Sequence, residues 1–151
     1  MKKAALITIC FLSLQITKAQ NVQDSIKSAV NNLFIAMATS DSLGIVNSFT
    51  PDGVLQSISE KDGKASVTSE KIADFAHIIA GLQKYDADER ITYKTIQIDG
   101  PLAFVWTPYS FYYKGKFSHC GVDCFCVVRI NGTWKIQYII DTRRTNACKN
   151  E

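Results

Sequence analysis

The stretch from Tyr109 to Arg144 constrains this chain more than any other. It reads YSFYYKGKFSHCGVDCFCVVRINGTWKIQYIIDTRR, with Lys114-Gly115 and Asn131-Gly132 set between runs of Tyr, Phe, Val, Ile and Trp. A turn residue followed by Gly between such runs is the strongest short-range hairpin signal, so the stretch predicts three antiparallel strands joined by two tight turns. Two-residue turns place Tyr113 opposite Lys116 and Ile130 opposite Thr133. The register then sets Trp106 opposite Asp123, and Asp123 opposite Ile140.

Side chains alternate along a strand, so this register sorts the meander into two faces. The first would carry Trp106, Tyr112, His119, Asp123, Phe125 and Tyr138, beside Phe104, Val127, Trp134, Ile136 and Ile140. The second would carry Val105, Tyr109, Phe111, Cys120, Val122, Cys124, Cys126, Val128, Ile139, Asp141 and Arg143. An aromatic face with a carboxylate and an imidazole set into it has the make-up of a pocket floor. Trp106, Tyr112, His119, Asp123, Phe125 and Tyr138 are therefore the candidate ligand-binding residues.

Residues 1–19 read as an export signal. Lys2-Lys3 is followed by an apolar run from Ala4 to Ile16, and Thr17-Lys18-Ala19 ends on a small residue suited to cleavage. The run is shorter than the roughly 20 apolar residues a membrane span needs. The expected product is a single domain over residues 20–151, periplasmic or secreted, with no membrane span. Of the 17 basic side chains, Lys2, Lys3 and Lys18 lie in the signal, against 14 acidic ones all outside it. The mature chain would carry no formal net charge, and without a basic stripe nucleic acid is a poor partner.

Val22, Ile26, Ala29, Val30, Leu33, Phe34, Met37 and Ala38 recur at three- and four-residue spacing and predict a helix from Asn21 to Ser40. Ser40-Asp41 caps a short second helix that Thr50-Pro51 stops. Val54 to Ser59 and Ala65 to Val67 form a small hairpin. Thr68 or Ser69 caps a third helix through Ile72, Phe75, Ala76, Ile79 and Leu82. Asp86 to Arg90 reads as a charged loop, and Ile91 to Ile98 as one strand.

This order predicts an α+β domain with three helices over one face of a curved, mainly antiparallel sheet. The whole mature chain resembles the nuclear-transport-factor-2-like (NTF2-like, SnoaL-like) superfamily of cone-shaped folds. More narrowly, His119-Cys120-Gly121-x-Asp123, Asn131-Gly132-x-Trp134-x-Ile136 and Asp141-Thr142-Arg143-Arg144 resemble the lumazine-binding branch of exported proteins in it. The resemblance implies a pocket between helices and sheet, and a dimer across the other sheet face. It implies no particular reaction, because this fold hosts enzymes, binding proteins and association modules.

His119 and Asp123 would be same-face residues about 13 Å apart along one strand, too far to form a hydrogen-bonded dyad. Asp123 as a general base with His119, Tyr112 or Tyr138 as donor is the catalytic alternative. Of the four cysteines outside the signal, Cys120, Cys124 and Cys126 share one face and stand too far apart to bridge one another across Cys120 and Cys124. Cys148 lies close in sequence to Arg143, the expected neighbour of Cys120, so Cys120–Cys148 is the expected disulfide in an oxidising compartment. Alternation separates His119 from the cysteines and there is no CxxC knuckle, so no metal site is expected. No cofactor motif occurs.

Three functions follow from different classes. The first is an exported carrier or sensor of a small apolar or heteroaromatic molecule. The second is a cofactor-free dehydratase, isomerase or cyclase, and the third a dimeric association domain with a filled pocket. A hydrogen-bonded pair of titratable groups inside the pocket would favour the second over the first. A homodimer is expected from the apolar strip Val105, Tyr109, Phe111, Val122, Val128 and Ile139 on the second face.

Overall fold

A computed structural model describes residues 3–146 and 148, with side chains from Asn21 onward. The side chains of the expected signal, residues 1–19, lie outside the described residues. Helix α1 runs Lys3–Ala38, α2 Ser42–Ser48 and α3 Ile72–Ala80. The strands are β1 Phe49–Lys61, β2 Lys64–Glu70, β3 Ala87–Ile91, β4 Thr95–Asp99, β5 Leu102–Tyr113, β6 Lys116–Ile130 and β7 Thr133–Arg144. They form one sheet in the order β2-β1-β7-β6-β5-β3, with β4 pairing the other half of β5. Only β1 and β7 pair in parallel. This is the α+β arrangement the element order predicts.

Local chemistry explains most boundaries. The Asp41 carboxylate accepts from the Gly44 amide at 2.9 Å and caps α2 as expected. Lys114-Gly115 and Asn131-Gly132 all have positive φ, the conformation two-residue hairpin turns require. Three expectations fail at boundaries. Thr68 and Ser69 lie in β2 rather than capping α3, whose first flanking residue is Lys71 without a side-chain bond. Asp86 to Arg90 is mostly strand β3, and Ile91 to Ile98 is split between β3 and β4.

The largest correction concerns the two faces. The first hairpin starts in the expected register, Tyr112 opposite Phe117, but continues with Phe111 opposite His119, so Ser118 is an unmatched extra residue. The second pairs Val127 with Ile136 and then Cys126 with Tyr138, leaving Gln137 as the extra residue. Each is a β-bulge, and each reverses the alternation beyond it relative to the neighbouring strand. Trp106 consequently faces Cys124, while Asp123 stands opposite Thr107 and Asp141. The Gln137 bulge has its own partners. The Gln137 amide donates to the Asp52 carbonyl at 3.1 Å and accepts from the Thr50 hydroxyl at 2.9 Å. Both partners sit where the β1 register is itself irregular.

The helices therefore cover the odd-numbered residues of β5, not the even-numbered ones. Ile26, Val30, Leu33, Met37, Ile45 and Ile79 pack against Ala103, Val105, Phe125, Val127, Ile136 and Ile139 in one core. Phe34 meets Phe125 edge to face, with ring centroids 6.0 Å apart. Val105, Tyr109 and Ile139, expected on an exposed strip, are buried here. Their burial breaks up the expected strip, of which Val122 and Val128 stay partly exposed.

Candidate functional site

A cavity of about 130 Å³ remains between the helices and the inner face of the sheet. Its apolar wall comes from Leu33, Phe34 and Met37 on α1, Phe75 and Ile79 on α3, Phe49 and Leu55 on β1, and Phe111, Phe125 and Ile139 on the sheet. Every polar group in the lining comes from the sheet: Glu89 on β3, Tyr109 on β5, His119 and Asp123 on β6, Asp141 and Arg143 on β7. The two bulges bring these together. Without the Gln137 bulge, Asp141 and Arg143 would point away from Asp123.

Asp141 is well supplied with donors. The Ser57 hydroxyl lies 2.5 Å from one oxygen, and Arg143 Nε donates to the other at 2.9 Å. The Tyr109 hydroxyl lies 3.2 Å from the same oxygen and 3.0 Å from the Thr142 carbonyl. Gly121 makes that placement possible, because a Cβ there would lie 1.7 Å from the Thr142 carbonyl oxygen and 2.7 Å from Tyr109 Cε1. Arg143 is half exposed and Asp141 almost fully buried. Their ion pair runs from the buried cavity lining to a half-exposed side chain.

Asp123 is only 5% exposed, and the Thr107 hydroxyl donates to it at 3.3 Å. Its carboxyl neighbours are Asp141, opposite it on β7, and Glu89, which lines the same cavity from β3 and raises its pKa. Two carboxyl groups buried in one cavity wall hold a proton between them. Burial, followed by the Asp141 charge, pushes the Glu89 carboxyl up to about 8, against the opposing pull of Arg143. Burial, Glu89 and Asp141 hold Asp123 well above the usual carboxylate range. At neutral pH the pair therefore keeps at least one proton, and it can donate as well as accept.

His119 packs its ring on Phe111 and edge-on to Tyr109, at centroid distances of 5.0 and 5.7 Å. Its Nδ1 is 3.0 Å from the Ser118 hydroxyl. Burial, reinforced by the Arg143 charge, lowers its pKa and favours the neutral ring. Burial and the three nearby carboxyls raise the Tyr109 hydroxyl far above its ordinary range. Tyr109 is thus a hydrogen-bond donor and not a base.

Of the six candidate ligand-binding residues, His119, Asp123 and Phe125 line the cavity. Trp106, Tyr112 and Tyr138 do not, because the bulges reverse their faces. Trp106 is 41% exposed on the outer side of the sheet. Tyr112 packs on Phe117 and under the Arg90 guanidinium, and the Tyr138 hydroxyl donates to Gln56. His77 lies on α3 away from this cavity. Four polar residues of the cavity escape the sequence reading: Glu89, Tyr109, Asp141 and Arg143. Glu89 could have been found from the alternation Ala87, Glu89, Ile91, a strand signal hidden by its charged neighbours.

The sulfurs of Cys120 and Cys148 are 2.03 Å apart, with Cα atoms 5.8 Å apart, the geometry of a disulfide. Cys124 and Cys126 are free. Among the described residues no group of His, Cys, Asp and Glu has the arrangement of a metal site, and no described helix is long and apolar enough to cross a membrane.

No protein-family model matches the chain. No curated protein matches it either. Solved structures do. An NTF2-like protein of unknown function from Shewanella baltica OS155 superposes with a TM-score of 0.64 at 14% identity, over 83% of this chain and 96% of that one. An NTF2-like protein of unknown function from Methylobacillus flagellatus KT gives a TM-score of 0.61 at 18% identity, over 83% and 94%. A protein of unknown function with a cystatin-like fold from Nostoc punctiforme gives 0.65 at 13% identity, over 82% and 92%. Three helices over a curved, mainly antiparallel sheet, together with a match to these structures across nearly their full length, give this chain the NTF2-like α+β fold.

Proposed function

We propose that the chain is an exported small-molecule-binding protein, and that the cavity beneath α1 and α3 is its ligand site. The observation that carries this reading is an apolar cavity whose polar groups converge on one spot, around Glu89 and Asp123. That combination is the usual make-up of a small-molecule site. An engineered apolar cavity of about 150 Å³ holds a benzene-sized guest, so the occupant here is a single small ring or its aliphatic equivalent. Export, with cleavage near Ala19, is supported by the Cys120–Cys148 pair, which is compatible with an oxidising compartment. Cleavage there would leave intact the described packing of α1, from Val22 onward.

The resemblance to the lumazine-binding branch belongs to the proposal as well. Its motif residues have structural work that does not depend on any ligand. Gly121 admits Tyr109, Trp134 and Ile136 fill the core, and Asp141 pairs with Arg143. Native mass spectrometry of protein purified from its own cell envelope tests the reading. A retained small molecule, lost in a variant that fills the cavity such as Ile139→Trp, is the expected result. A protein that carries nothing and takes up no ring-sized probe by NMR would overturn it.

One observation favours a second reading, a cofactor-free acid–base enzyme. Glu89 and Asp123 are two titratable groups on one cavity wall, both raised above the usual carboxylate range, the kind of pair that distinguishes such an enzyme from a simple carrier. In that reading Asp123 acts as the base, and the cavity's own donors, Tyr109 and His119, take the place of Tyr112 and Tyr138. Asp123→Asn keeps volume and removes the base, which should lower a rate by about 10²- to 10⁴-fold once a substrate is known.

A further inference from the structure

The polar end of the cavity is rich in carboxyl groups, and most of its donors are already committed to Asp141. Three carboxyl groups, Glu89, Asp123 and Asp141, line it beside one guanidinium, Arg143. Asp141 takes the Arg143 Nε, the Ser57 hydroxyl and the Tyr109 hydroxyl. Asp123 receives only the Thr107 hydroxyl, at a long 3.3 Å. Glu89 faces Asp123 and receives no hydrogen bond from any other described residue. The four oxygens of the Glu89–Asp123 pair thus share one hydroxyl and whatever protons the pair retains. Neither carboxyl is cut off from the cavity, so a guest there can supply the donors that the protein does not.

A neutral ligand with a carbonyl would add another acceptor. An anion would add acceptors and a like charge. A primary ammonium group brings three N–H donors and a second positive charge beside three carboxyl groups, of which Asp141 is paired with Arg143. The opposite wall suits the rest of such a molecule, because Phe34, Phe75, Phe111 and Phe125 present aromatic rings to a cation and its hydrocarbon body. We propose that the cavity takes a small organic amine in its ammonium form, its nitrogen held by Glu89 and Asp123 and its hydrocarbon part against the Phe34, Phe75 and Phe125 rings. The proposal rests on the cavity being a ligand site and names the chemistry of what enters.

A cation beside Glu89 favours the ionised carboxylate, so binding expels protons from the pair. The groups facing this end are Tyr109, His119, Asp141 and Arg143 from the sheet, with Ser57 on β1. The helices contribute only apolar side chains to the lining. Calorimetry with benzylamine, benzyl alcohol and benzoate at pH 5.5 and 7.5 tests the assignment, in two buffers of different ionisation enthalpy. Benzylamine is expected to bind at least about tenfold more tightly than the isosteric alcohol, with benzoate weakest. Its affinity should rise between pH 5.5 and 7.5 with measurable proton release. Glu89→Gln should abolish the preference while benzyl alcohol still binds, and Asp123→Asn provides the same comparison if the first variant folds poorly. Benzyl alcohol or benzoate binding as well as benzylamine would overturn the amine assignment and leave the ligand site standing. Failure of all three probes to bind would overturn both.

Discussion

Glu89 on β3 and Asp123 on β6 line one cavity from either side of strand β5, and the Thr107 hydroxyl of β5 donates to Asp123. Their common facing follows from a bulge at Ser118. It turns His119 and Asp123 toward the same side as Phe111, the cross-strand neighbour of Glu89. Strand pairing thus fixes an acid pair that neither residue's sequence neighbourhood suggests.

The first prediction is a stability that falls as pH rises. Burial and Asp141 move Glu89 from 4.5 to about 8 on folding. Between those values the folded chain binds more protons than the unfolded chain, so the Glu89 contribution is fully present below 4.5 and is lost by about 8. Urea midpoints at pH 5, 6.5 and 8 should decline for the wild type. Glu89→Gln, which cannot ionise, should flatten that decline. A wild-type stability that rises steadily from pH 5 to 8 would show that the pair is not buried together.

Gly121→Ala should be among the most damaging single-methyl additions in the chain. The new Cβ would sit 1.7 Å from the Thr142 carbonyl oxygen, which belongs to the paired backbone of β7 and cannot swing aside. Strands β6 and β7 would have to separate locally, carrying Tyr109 off Asp141. A loss of about 3 kcal/mol or more is expected from overpacking of this severity. Equilibrium urea unfolding measures it, and a cost under about 1 kcal/mol would mean that the two strands are not so closely apposed.

Thiol counting after denaturation without reductant should return two free thiols, Cys124 and Cys126. In the native state Cys124 should react slowly with alkylating reagents, because burial pushes its thiol pKa up. The Cys120–Cys148 link closes a loop with a sequence separation of 28. Cys148→Ala should cost about 2–5 kcal/mol, the usual effect of losing a native disulfide. Four titratable thiols in protein isolated under oxidising conditions would contradict the link.

The fold was legible in the sequence for reasons that the site was not. Helix periodicity from Val22 to Met37 and the two Gly-containing turns are local signals, and each sets an element whatever surrounds it. Facing is different. It depends on a count of residues between turn and site, and one extra residue at Ser118 or Gln137 reverses it. His119, Asp123 and Phe125 are on the expected side of β6 since no bulge separates them from one another. Trp106, Tyr112 and Tyr138 are not, and Tyr109, Asp141 and Arg143 take their place. Glu89 was hidden differently, since Asp88, Glu89 and Arg90 look solvated until β5 pairs with them and α1 covers one side.

The last prediction carries the homodimer to the other face of the sheet. Val105, Tyr109 and Ile139 are buried under the helices and cannot form an interface. The even-numbered residues of β6 stay outward as expected, and the bulges bring Leu102, Phe104, Trp106 and Ile140 beside them. Leu102 is 47% exposed and Trp106 41%, and Phe104, Val122, Cys124, Cys126, Val128 and Ile140 lie partly exposed on the same side. Phe104 and Trp106 are in ring contact, with centroids 6.3 Å apart. A contiguous apolar patch of more than a few hundred Å² is uncommon on a soluble monomer, and pairing two copies about a two-fold axis would cover both patches at once. Sedimentation equilibrium at micromolar concentration should give a dimer. Trp106→Glu should dissociate it without altering what the cavity binds, because the cavity lies on the opposite face. A wild-type monomer with Trp106→Glu equally soluble would refute the dimer, whereas loss of cavity binding in that variant would instead put Trp106 back among the ligand contacts.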